Sequence, residues 1–313
     1  MITDWFRGFP SRVKLNYITV RTFKQHFKNY MAVYNAQVLN HFPVKANLRT
    51  GESVVLYSWA HVAIQILGYD IVSYDDRDDI TEFRALGKLV KLKGLLYGGD
   101  ISVFSHSYQL DVRDKVVLDI GANIGDSALS FVQEGAKKVV AVESDPFSFK
   151  LLNDNVDLNG LNSRIITLNA AFSGHSSKIR IPFRPQNTLG NSTSSSDHGL
   201  IVNTTTLREI VGNLDIPQGS IAKIDCEGCE YDSLTRASTN DLKLFDQFGI
   251  EYHYGSETLV NLFRDIGYSI TFTEPKTYYS KSSNPHLMKL GMLYAKNTKP
   301  ITSQNSTAQV MHQ

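Results

Sequence analysis

The sequence predicts an α/β fold: a doubly wound, mostly parallel sheet preceded by an N-terminal α+β extension. Two observations carry this. From Lys115 onward, continuous apolar runs alternate with helix-compatible segments of about 12 residues, as strands buried on both faces and their crossover helices do. Several of those runs also end in a Gly or an acidic residue, at the edge where open parallel sheets bind ligands.

Residues 1–112 form the predicted extension. Between Pro10 and Phe42, Phe, Tyr and Val interleave with Arg12, Lys14, Arg21, Lys24 and Lys28, which is compatible with an amphipathic helix. The preferred reading is a solvated basic face with aromatics packed inward; the rival is a surface for a membrane or an acidic partner. The uncharged stretch Ser53–Tyr69 falls short of a membrane span and reads as a strand and a helix. Residues 89–104 (L-V-K-L-K-G-L-L-Y-G-G-D-I-S-V-F) alternate apolar and polar positions around Gly94, Gly98 and Gly99, which favours short antiparallel strands.

Residues 113–296 form the predicted sheet domain. Strands are expected at 115–120, 137–143, 164–172, 221–227 and 245–254, with helices after the first and second and another over Ser256–Ile266. Two closing strand-like runs follow, Y-S-I-T-F-T and L-G-M-L-Y-A. Residues 297–313 are polar and expected to be disordered.

Composition narrows the function. Of 313 residues, 42% are hydrophobic, so a disordered chain is excluded, and 32 Lys+Arg against 31 Asp+Glu argue against a dedicated nucleic-acid binder. Cys226 and Cys229 are too few for a disulfide scaffold and lack the second pair of a zinc ribbon, so they read as buried free thiols. The first ten residues carry charges where a signal peptide needs an apolar region, and the expected location is cytoplasmic.

The chemistry is expected at three strand ends. D-I-G-A-N-I-G over 119–125, with Glu143 closing the next strand, suits a nucleotide: glycines turn the backbone and the carboxylate accepts from a ribose diol. Asn123 stands where a dinucleotide fold carries Gly, and Asp119 lies just before the turn. Both favour the cationic S-adenosylmethionine (SAM) over a pyrophosphate. K-I-D-C-E-G-C-E over 223–230 places Asp225 and Glu227 at the fourth strand end, where carboxylates can hold a proton, a metal or a substrate hydroxyl. No metal ligand is assigned, and Glu230 reads equally as an acid favoured by a helix dipole. Glu251 and His253 share one face of the fifth strand and can converge on that pair. Asn169, ending the third strand, can reach an adenine edge.

Together these motifs, with N-D-N-V-D-L-N, T-T-L and I-E-Y-H, resemble the FkbM-type SAM-dependent methyltransferases over about Ile101–Lys296. Cys226 and Cys229 stand where the family usually carries Val and Ala. The resemblance implies a class I methyltransferase sheet of seven strands, the last antiparallel. It puts Asp119, Gly121, Asn123 and Gly125 around the methionine part of SAM, Glu143 on the ribose and Tyr108 near the cleft. The expected reaction is O-methylation of a hydroxyl on a sugar, glycan, lipid or other small molecule, with Asp225, Glu227 and His253 orienting or deprotonating the acceptor. An RNA (tRNA) methyltransferase, a NAD-dependent oxidoreductase and a non-catalytic SAM-binding module are the alternatives. Peripheral membrane contact and oligomeric state stay open.

Overall fold

The computed structural model describes residues 20–105, 108–181, 199–279 and 287–298. Of residues 297–313, expected to be disordered, Asn297 instead ends the last strand, and residues 299–313, like Arg12 and Lys14, lie outside the described residues. The N-terminal part opens with a helical turn over residues 20–26 and helix α1 (Tyr30–Leu39). Phe23 and Phe27 are buried while Arg21, Lys24 and Lys28 are exposed, the pattern of a helix face packed on its aromatics.

The hairpin β1 (Val44–Asn47) and β2 (Ser53–Leu56) and helix α2 (Trp59–Ile66) follow. The Ser58 hydroxyl caps α2 by accepting from the Ala60 and His61 N–H groups. Strands β3 (Asp70–Asp75), β4 (Ile80–Ala85) and β5 (Lys88–Lys93) make an antiparallel sheet. The strand expectation over 89–104 holds only to Lys93. Gly94, in a left-handed conformation, turns the chain into a helical turn (Leu95–Gly98) and a 3₁₀ segment (Ile101–Ser105). The apolar residues there cover the helices behind them rather than pair as strands: Leu95, Ile101, Val103 and Phe104 share one core with Leu129, Phe131 and Leu152.

The main sheet begins at β6 (Val116–Ile120), which leads into α3 (Asp126–Glu134), β7 (Lys138–Glu143), α4 (Pro146–Leu158) and β8 (Ile165–Asn169). The Asp145 carboxylate caps α4 by accepting from the Phe147 and Ser148 N–H groups, with Pro146 in the first turn. The predicted third strand then breaks in two. β9 (Ala171–Phe172) leaves the main sheet to pair with β11 (Leu200–Thr205), whose other edge pairs with β10 (Lys178–Ile181), in a small sheet.

A capping box of Thr206 and Glu209 starts α5 (Leu207–Asn213), and β12 (Ser220–Ile224), α6 (Glu230–Arg236), β13 (Phe245–Tyr252), α7 (Glu257–Asp265), β14 (Tyr268–Phe272), β15 (Lys276–Tyr279) and β16 (Leu287–Asn297) complete the chain. The order is β14-β16-β13-β12-β6-β7-β8, with β15 added on β16. Pairings among β6, β7, β8, β12 and β13 are parallel, and β16 runs antiparallel between β13 and β14. This is the seven-stranded sheet with an antiparallel last strand that the resemblance implies, extended by one strand.

The extension is fastened to the sheet domain by two asparagines four residues apart, Asn155 on α4 and Asn159 at its C-cap. Asn155 accepts from the Lys93 N–H at 2.6 Å and donates to the Lys93 carbonyl at 3.0 Å. Asn159 does the same for Lys91 at 3.0 and 2.7 Å. These amides pair the open edge of β5 as a neighbouring strand would. Among the described residues no helix is long and apolar enough to cross a membrane.

Candidate active site

The carboxyl ends of β6, β7, β12 and β13 open onto a cavity of about 260 Å³. Its wall runs from Asp100, Val103 and Tyr108 of the extension across Gly121 and Asn123 to Glu143, then to Lys223, Asp225, Cys226, Glu227 and Glu251. Gly121 joins the two halves. Its φ is +75°, and a Cβ there would lie 1.7 Å from the Asp225 carbonyl oxygen, so no other residue fits.

On the β6–β7 side, the Glu143 carboxylate is buried and held by backbone: Oε2 accepts from the Asn123 N–H at 2.8 Å and Oε1 from the Asp145 N–H at 2.7 Å. Burial raises its pKa while these amides pull it down. Asp119 is fully buried behind the cavity wall. Its Oδ2 accepts from the Ser127 hydroxyl at 2.6 Å, and its Oδ1 faces Lys223 Nζ at 3.1 Å as an ion pair without hydrogen-bond alignment. Lys223 donates to the Gly121 carbonyl at 2.8 Å and lies 5.3 Å over the Tyr108 ring. Burial opposes its charge, but Asp119 and Asp225 outweigh that and raise its pKa. Burial also pushes Asp126, on the same wall, up to about 7.

On the β12–β13 side the groups stand two deep. Asp225 accepts from the Tyr108 hydroxyl at 3.3 Å. Behind Asp225 and Glu227 lies His253, only 1% exposed, with Nε2 at 3.3 Å from Glu227 Oε2 and 4.0 Å from Asp225 Oδ1. Its Nδ1 meets Glu230 Oε1 at 2.8 Å. Burial disfavours the imidazolium, yet the Glu230 hydrogen bond and the Glu230, Glu227 and Asp225 charges lift His253 to about 9. Glu251 is driven up to about 7, first by burial and then by the Asp225 charge; burial also raises Glu227.

Residues 119–270 match the Methyltransferase FkbM domain. The chain carries an FkbM methyltransferase domain over that span, just under half of its length. It is 28% identical over 143 residues to the hexuronic acid methyltransferase AglP of Haloferax volcanii, covering 46% of this chain and 58% of that protein. It is 39% identical over 56 residues to a tRNA(Phe) (4-demethylwyosine(37)-C(7)) aminocarboxypropyltransferase of Pyrococcus horikoshii, covering 18% of this chain and 20% of that one. The chain thus spans less than two thirds of the length of these relatives. The structure of M. capricolum TrmK with S-adenosyl-homocysteine is similar at a TM-score of 0.41 and 13% identity, over 64% of this chain and 70% of that one.

Within the FkbM domain, Gly121, Asn123, Glu143, Asp225 and Glu227 reach the cavity wall, and Tyr108 joins them from the extension. Four residues singled out in the sequence stand outside that wall. Asp119 and His253 are buried behind it. Gly125, in a left-handed conformation, precedes α3, and a Cβ there would meet the Leu152 side chain at 2.6 Å. The Asn169 side chain donates to the Glu143 carbonyl at 2.8 Å, so its amide N–H tethers the end of β7.

The cysteines differ from expectation: Cys226 and Cys229 form a disulfide. The physical reason lies between them. Glu227 (φ +56°) and Gly228 (φ +109°) are both left-handed, and this folds the loop until the two Cα atoms are 5.5 Å apart, within disulfide reach. Cys226 lines the cavity and Cys229 is buried. Lys223 and Asp126 carried no role in the sequence reading of the FkbM domain. A lysine inside the apolar run S-I-A-K-I was the available signal for Lys223, because a charge in a strand buried on both faces needs a partner.

Proposed function

We propose that this protein is a SAM-dependent methyltransferase that O-methylates a hydroxyl of a sugar, glycan, lipid or other small molecule. The presence of Asp225, Glu227 and Glu251 in one cavity with Gly121 and Glu143 carries the reading. The β6–β7 wall fits the cofactor: each Glu143 oxygen retains acceptor capacity for a ribose hydroxyl, and the bare Cα of Gly121 allows close approach. The carboxylates of the wall also suit a cationic ligand. When bound, SAM supplies a methyl group activated by a sulfonium charge.

The acceptor side then has two tasks, to orient a hydroxyl and to take its proton. A group that titrates near the working pH does the second best, which favours Glu251, pushed up to about 7, over His253; burial raises Glu227 in the same direction. His253, charged at neutral pH, holds Glu227 in place. The likeness to a hexuronic acid methyltransferase supports a sugar acceptor, and an acidic wall with Lys223 as its cation among the described residues disfavours a polyanion such as RNA.

Labelled methyl transfer from SAM to separated glycans, lipids, small molecules and RNA tests the reading. Label is expected in a glycan, lipid or small-molecule fraction, and none in any fraction overturns it. E227Q is expected to bind SAM as wild type while transfer falls by more than about tenfold, the usual scale of general acid–base catalysis.

A further inference from the structure

Glu230 is an ionisable side chain with no exposure at all, at the first position of α6. An acid placed there only for the helix dipole would sit in solvent near the N–H groups of its own first turn. This one turns elsewhere. Oε1 accepts from the His253 N–H at 3.1 Å and meets His253 Nδ1 at 2.8 Å, on a strand end 23 residues away; Oε2 accepts from the Gly228 N–H at 2.9 Å. A buried carboxylate costs several kcal/mol unless it is paired, and here both oxygens are engaged.

We propose that Glu230 is a positioning residue: its carboxylate fixes the His253 ring through Nδ1 so that Nε2 faces Glu227, and it ties down the Gly228 N–H so that Glu227 stays on the cavity wall. The arrangement is that of a carboxylate that sets an imidazole's tautomer and direction from behind, while the other ring nitrogen works in front. Glu227, left-handed at φ +56°, is held from two sides, by the His253 ring and by the backbone of the loop that carries it.

The groups facing His253 are Glu230 from α6, Asp225 and Glu227 from the loop after β12, and Glu251 on its own strand. On the neighbouring strand β16, the Lys289 N–H donates to the His253 carbonyl. With Glu230 the closest of the acids, its neutralisation should move the ring's titration more than any other single change.

The inference rests on the methyl-transfer reading of the cleft, and one measurement tests it without that reading. In full-length protein with labelled histidine, and with H253Q used to assign the resonance among nine histidines, His253 is expected to titrate more than about one pH unit above an ordinary histidine. E230Q should lower that midpoint by at least about one unit. Its SAM affinity should stay within about twofold of wild type, while kcat falls about tenfold or more and the alkaline limb of the pH–rate profile moves down with the ring. E230D, which keeps the charge, should restore the midpoint in part. A wild-type His253 that titrates at or below the ordinary histidine value overturns the proposal even if E230Q does not fold. An unmoved midpoint in folded E230Q overturns it as well. Absence of methyl transfer in every acceptor fraction would count against the functional reading alone.

Discussion

The two walls of the cleft hold their acids by opposite means. On the β6–β7 side the cavity is shaped by backbone: Glu143 is fixed by two main-chain N–H groups, and Gly121 contributes only the absence of a side chain. On the β12–β13 side it is shaped by side chains stacked in series, Glu230 behind His253 behind Glu227. A backbone-built wall tolerates little change of shape and suits a ligand of constant shape. A wall built of ionisable side chains can tune charge, which proton transfer needs. Substitutions on the first wall should therefore act on SAM affinity, and those on the second on turnover.

The largest effect is expected where the walls meet. G121A would place a methyl against the Asp225 carbonyl and force alanine to a φ of +75°, a conformation L-residues rarely adopt. SAM affinity should fall more than about a hundredfold, or about 3 kcal/mol, with a lower thermal midpoint, as read by calorimetry and circular dichroism. Retention of both would mean that the walls are not coupled through this turn.

E143Q separates the walls. Burial disfavours the Glu143 charge, but the NH2 of a glutamine cannot accept from one of the two backbone N–H groups that the carboxylate satisfies, so the unliganded protein should melt somewhat below the wild-type temperature. SAM affinity should fall about tenfold, for the loss of one charge-assisted hydrogen bond. Turnover at saturating SAM should stay near wild type, the reverse of E227Q. Equal affinity in titration calorimetry would move the ribose away from β7.

The backbone wall was also the more legible in the sequence. The apolar strand Val116–Ile120, its glycine turn and the acid closing β7 are local patterns, and each stands where periodicity puts it. The side-chain wall was legible at Asp225 and Glu227, whose strand-end position follows from the parallel sheet. Glu230 was not, because its partner His253 lies 23 residues on and nothing in its helix announces the contact. Lys223, whose partner Asp119 lies on the neighbouring strand, was missed for the same reason. The helical turns after Gly94 defeated the alternation rule, since Leu95, Ile101 and Phe104 bury against α3 and α4, which a local pattern does not see. The disulfide depended on two successive left-handed residues, and glycine announces only one of them.

The remaining effect is read in stability against pH and not in affinity or turnover, and it resolves the walls by window. His253 has a folded pKa raised to about 9 from 6.5. Its contribution is therefore complete below pH 6.5 and is lost as pH rises through about 9. Asp126 on the first wall and Glu251 on the second, raised to about 7 from 3.8 and 4.5, lose theirs at lower pH, as pH rises through about 7. Urea midpoints measured between pH 6.5 and 9 should decline in wild type and flatten in H253Q, although H253Q starts lower because Glu230 is left buried without its partner. A decline that persists undiminished in H253Q would mean that the charge stored in the side-chain wall does not reside on this imidazole.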